Sequence, residues 1–174
     1  MKKLFTLLAL ICQFNMSAQI STGNTNNSGT YSSAIGFQTS AVGDYSTAMG
    51  YNTTSSASYC TAMGYATTAS GSTSTAMGVN TTASGDGSTS LGNQTTASAN
   101  NSIATGASTT ASGEVSTAMG YATTANGSSS TSMGLSTTAN GDVSIAMGLG
   151  TTANGNVSVA MGRNTTASDY GSLV

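Results

Sequence analysis

Histidine, tryptophan and proline are absent from the 174 residues, and charge is scarce, with three Lys or Arg against five Asp or Glu. Without histidine, general acid–base chemistry would fall on the five carboxylates, and no catalytic constellation can be assembled from them. Lys2 and Lys3 open the chain, so Arg163 is the only cation beyond them. A basic footprint for nucleic acid is therefore missing, as is a cationic face for anionic lipid. Cysteine is nearly absent too. Cys12 lies in the leading apolar segment, which leaves Cys60 alone and excludes an intrachain disulfide framework. A calcium cage needs several oxygen ligands close together, and the acids are dispersed singly along the chain. Composition thus predicts a non-enzymatic protein with no catalytic, cofactor-binding or metal site.

The chain begins like an exported protein. Lys2 and Lys3 precede an almost unbroken apolar run from Leu4 to Cys12, and Ser17 and Ala18 supply small residues for cleavage. These features predict a signal peptide over 1–18, with Gln19 as the mature N-terminus. A membrane span would need about 20 apolar residues, so the chain is read as having no direct span. Ile11 stands before Cys12 where a lipoprotein signal wants a small residue.

A fourteen-residue unit follows, recurring ten times from Gly29 to Ser168 without insertion or deletion. Copies start at Gly29, Gly43, Ala57, Gly71, Gly85, Ala99, Gly113, Gly127, Gly141 and Gly155. A linker or cap is expected over 19–28 and an incomplete eleventh coil over 169–174. So strict a period predicts one structural coil stacked on itself. Numbering from the leading residue, position 8 is glycine in every copy: Gly36, Gly50, Gly64, Gly78, Gly92, Gly106, Gly120, Gly134, Gly148 and Gly162. Glycine at two fixed points suits coil corners, where the backbone needs positive φ or lies too close for a side chain. Short strands are then expected at positions 4–7 and 9–13, giving an all-β, parallel β-solenoid with two strands per coil.

Alternation along a strand assigns the faces. Position 4 is Ser in nine copies and position 6 only Ala or Ser; position 11 is always Thr and position 13 Ala in nine. These small residues are expected to point into a thin interior. Position 7 then faces outward as Ile35, Met49, Met63, Met77, Leu91, Thr105, Met119, Met133, Met147 and Met161. A contiguous apolar stripe of this kind marks an interface, and an interior of Ala, Ser and Thr is too lean to stabilise much by burial. The competing assignment turns the faces round and makes methionine the private core of a monomer. Tyr31, Tyr45 and Tyr59 recur at position 3 and are read as stacked surface rings. Asp44, Asp86, Glu114 and Asp142 all occupy position 2, never in adjacent coils, as like charges at coil spacing require. Cys60 fills a Ser slot and is read as a buried isostere. Disorder is disfavoured, because disordered tracts rarely keep an apolar residue every fourteen positions.

The pattern Ser-x-Ala-Met-Gly-x-x-Thr-Thr-Ala-x-Gly, seen at Ser116, Ala118, Met119, Gly120, Thr123 and Ala125, resembles the head repeat of YadA-like trimeric autotransporter adhesins. That resemblance implies a left-handed roll, three chains packed in parallel with position 7 on the three-fold axis, and display at a bacterial surface. The predicted axis column is Ile35, Met49, Met63, Met77, Leu91, Met119, Met133, Met147 and Met161. On this reading the protein is an adhesin head or structural rod, exported to the cell surface, outer membrane or exterior. Its partners would be two further copies of itself and an extracellular protein or surface. The chain stops within a coil, so it is expected either to be a fragment of a longer protein or to be held to the cell by another module. Two other functions fit the repeat. One is the shaft of a fibre. The other is an ice-binding solenoid using the file from Thr54 to Thr166 at position 12, although a second file at position 11 is expected to point inward.

Overall fold

The computed structural model describes residues 23–174; the predicted signal peptide lies outside the described residues. From there to the end the chain is a regular stack of β-coils, with no helix among the described residues. Each coil contributes one five-residue strand at positions 5–9 and one two-residue strand at positions 12–13, such as Thr117–Tyr121 and Thr124–Ala125. The long strands form a ten-stranded parallel sheet and the short ones an eleven-stranded parallel sheet, both in the order of the chain. Register never slips: Thr117 faces Thr131, Met119 faces Met133 and Gly120 faces Gly134. Threonine at positions 5 and 12 and aromatic or aliphatic residues at position 9 suit this pleated, half-covered surface.

The interior holds nothing larger than threonine. The buried apolar side chains are alanines from positions 6 and 13 plus Cys60, and the buried polar ones are the serines and threonines of positions 4, 6, 11 and 13. Where position 6 is serine, it pairs across the interior with position 11, as in Ser132 Oγ to Thr137 Oγ1 at 2.7 Å. The expected inward columns are therefore the inward columns. Many of their hydroxyls, Ser116 and Thr123 among them, lack a hydrogen-bond partner. Such a core combines little apolar area with unpaired polar groups, and both limit its contribution to stability.

The corners differ in part from expectation: position 1 opens a turn, which Ser116 N–H closes by donating to Gly113 O at 3.1 Å, but position 8 does not. Every coil turns through two residues with left-handed φ, at positions 3 and 10, and most are not glycine: Val115 has φ 56° and Ala122 φ 52°. The position-8 glycines predicted as corners sit inside the long strand as its fourth residue. Their φ is indeed positive, 126° at Gly120. The reason is vertical crowding: a Cβ there would lie 2.1 Å from the carbonyl oxygen of Gly134 in the next coil. What holds the corners open is coil-to-coil hydrogen bonding. Val115 N–H donates to Asn100 O at 2.9 Å, and Ala122 N–H to Ala107 O at 2.9 Å. Consequently the strand boundaries expected at 4–7 and 9–13 become 5–9 and 12–13.

Of the expected linker or cap over 19–28, residues 19–22 lie outside the described residues, and 23–28 run as the tail of a preceding coil. Asn26–Asn27 pairs in parallel with Ser40–Ala41, fourteen residues on. At the other end Leu173 bridges Val159, so residues 169–174 begin a further turn on the stack.

Candidate functional site

The outer face of the long-strand sheet carries positions 5, 7 and 9, because alternate residues share a face. Position 7 forms one continuous file, with Met49, Met63 and Met77 in register at one end and Met119, Met133, Met147 and Met161 at the other. Ile35 begins the file and Leu91 connects its halves through Thr105. None of these side chains is enclosed by its own chain: Met161 is 47% exposed and Met119 41%. The private-core assignment is thus excluded for a single chain, since the interior is closed by alanine before methionine could enter it.

Position 9 widens this file into a face. Phe37, Tyr51, Tyr65, Val79, Tyr121, Leu135 and Leu149 are all exposed there. Phe37 stacks on Tyr51 with ring centroids 5.5 Å apart, and Tyr51 on Tyr65 at 5.2 Å. Sequence reasoning missed this column because it ended the strand at the position-8 glycine. Carrying the two-residue alternation one step past that glycine would have found it.

A second aromatic ladder lies on the position-3 corner, where Tyr31, Tyr45 and Tyr59 stack with centroids 5.3 and 5.0 Å apart. On the neighbouring position the acids act as rungs. Asp44 Oδ1 accepts from Thr30 N–H at 2.8 Å, Asp86 Oδ1 from Ser72 N–H at 2.9 Å, and Asp142 Oδ1 from Ser128 N–H at 2.9 Å. Asn100 and Asn156 do the same for Asp86 and Asp142 without adding charge. Asparagine in the coil after an aspartate therefore continues the ladder while avoiding a second carboxylate at coil spacing. A third ladder runs along position 14, Asn126 to Asn140 to Asn154, each amide donating to the next at 2.8 Å. These like-on-like ladders hold the parallel register as stacked amides and rings do in cross-β assemblies.

The short-strand sheet presents the position-12 threonines up to Thr152 as a single half-buried file, while the position-11 threonines from Thr39 to Thr151 beside them are buried. It offers one file of hydroxyls and no second one. Cys60 is buried, with its thiol directed at Ala57 O at 2.8 Å. Among the described residues no cluster of three or more Cys, Asp or Glu is placed to hold a metal ion, and no helix is long and apolar enough to cross a membrane.

No curated protein matches the chain significantly. A family model described as the YadA head domain repeat matches residues 28–53, 61–81, 83–109, 111–137, 125–151, 139–165 and 153–173. The last four matches begin fourteen residues apart, one coil at a time.

Proposed function

The chain belongs to the YadA head repeat family, whose members are surface-exposed heads of trimeric adhesins, and from that premise we propose that it is a non-catalytic adhesive rod. Three parallel copies pack their long-strand sheets around a common axis, with Ile35, Leu91 and the methionines of position 7 innermost. The corners and the short-strand sheets remain outside to meet an extracellular protein or another surface. Export by the segment 1–18 delivers the rod to the cell surface.

The observation that carries this reading is the position-7 file, half-buried to exposed on the outer face, over a core of alanine, serine and threonine. Ten coils at about 4.8 Å and five residues at about 3.3 Å give the face an extent of roughly 800 Å². That matches the ~800 Å² each partner contributes to a standard specific interface. Burying it supplies the apolar stabilisation that the interior lacks. Methionine suits the task because its unbranched thioether adapts to an axis where three surfaces meet.

The mass of residues 19–174 in solution tests the assembly by sedimentation equilibrium. Three times the chain mass is expected, and a folded monomer at micromolar concentration would overturn the proposal. Adhesion is tested on the same trimer, by its retention on immobilised extracellular-matrix proteins against a trimer with its outward short-sheet and corner residues scrambled.

A further inference from the structure

A stack of near-identical coils faces a register problem when it meets copies of itself. Sliding one chain along another by one coil, about 4.8 Å, sets methionine against methionine again at most levels. Along the innermost position-7 file the repeat therefore decides which faces meet and leaves their relative height weakly defined, although position 9 beside it varies from coil to coil.

Within the file, one level differs from the rest in polarity. In the sixth coil the large apolar residue is missing from position 7, where Thr105 stands between Leu91 and Met119. Position 5 of that coil is Ile103, which is exposed, as is Ile145 at position 5 of the ninth coil. Every other position-7 residue is Ile, Leu or Met. Thr105 is half-buried on the same outer face as its neighbours, so its hydroxyl belongs to the surface that the file presents.

We infer that Thr105 is the register mark of the assembly, an inference that rests on the trimer proposed above. With the three chains level, three Thr105 hydroxyls meet at one height on the axis and close a ring, each O–H donating to the next oxygen. A hydroxyl is both donor and acceptor, so a ring of three satisfies every member. A chain displaced by one coil sets its Thr105 against Leu91 or Met119 of its neighbours, which offer no comparable partner. The displaced hydroxyl and the two it abandons then sit in an apolar layer with incomplete hydrogen bonding, and that layer disfavours the slip. A single polar residue in an apolar seam selects the register of coiled coils by the same logic.

Pulsed electron paramagnetic resonance on spin-labelled residues 19–174 tests this. Cys60→Ser removes the buried thiol, and Ser98→Cys places the label on an exposed position-14 site of the fifth coil. After unfolding and refolding, chains with Thr105 give one intermolecular distance, and Thr105→Ser, which keeps the hydroxyl, gives the same. Thr105→Met restores the residue commonest in the column, so the coil has no cause to unfold. It is expected to add longer-distance populations from chains displaced by one coil or more. One unchanged distance with Thr105→Met overturns the register role and leaves the trimer standing, as does equal heterogeneity with Thr105→Ser. Absence of any intermolecular distance overturns both.

Discussion

Gly120 lies directly over Gly134, so close that a methyl group on the first would stand 2.1 Å from the carbonyl oxygen of the second. Gly113 lies over Gly127 in a similar way, with a methyl contact of 1.9 Å. The two sites differ in φ, because Gly120 holds 126° whereas Gly113 is not among the positive-φ residues. Position 1 accepts alanine naturally, at Ala57 and Ala99, and position 8 never does. A modest shift of backbone therefore relieves the crowding at position 1, while position 8 needs both the space and a conformation that side chains resist.

From this difference, Gly120→Ala is expected to destabilise the rod by on the order of 3 kcal/mol or more. Gly113→Ala is expected to cost clearly less. Urea denaturation of both variants checks the order, and equal losses would contradict the conformational argument.

Replacing Met119, Met133 and Met147 together by Asp is expected to dissociate the proposed trimer. Three carboxylates per chain would enter the axis, where burying charge without a partner is prohibitive. In the separated chain the same side chains stay solvated, with repulsion between adjacent coils of roughly 1 kcal/mol per pair in water. Sedimentation gives the readout. An unaltered oligomer would show that position 7 does not face the axis.

Val115 holds a left-handed φ of 56° with a β-branched side chain that is 55% exposed. Its neighbours in the position-3 column are Asn101 and Ser129. Left-handed backbone costs an ordinary residue about 1–2 kcal/mol, and asparagine tolerates it better. Val115→Asn keeps the N–H bond to Asn100 and gives up little buried surface. It is expected to stabilise the protein by up to about 1 kcal/mol, visible as a rise in Tm; a fall would show that the valine is held by contacts outside the single chain.

Cys60 points its thiol at Ala57 O, as Ser102 Oγ points at Ala99 O at 2.6 Å. Cys60→Ser should accordingly change stability by less than about 1 kcal/mol, the net worth of a single hydrogen bond. The native thiol should resist aromatic disulfide reagents until the chain is unfolded. Rapid labelling of the folded protein would place the side chain outside the core.

Much of this molecule is written locally. The fourteen-residue period specified the stack, and two-residue alternation assigned Ser116, Ala118, Thr123 and Ala125 to the inside and Met119 to the outside, where the structure has them. The full width of the candidate face was not legible. Reading Gly120 as a corner cut the strand short and hid Tyr121, although Tyr121 follows the same alternation.

Local chemistry alone determined the coil, its faces and the leanness of its interior, since side-chain size and period act within a few residues of one another. Only the tertiary structure decided where each coil bends. Tyr59, Thr73 and Val115 carry no mark of left-handed backbone in themselves; they adopt it because the coil before each one offers a carbonyl at hydrogen-bonding distance, as Asp44 O does for Tyr59 N–H at 2.9 Å. A coil in isolation lacks that carbonyl, so its corners exist only as part of the stack.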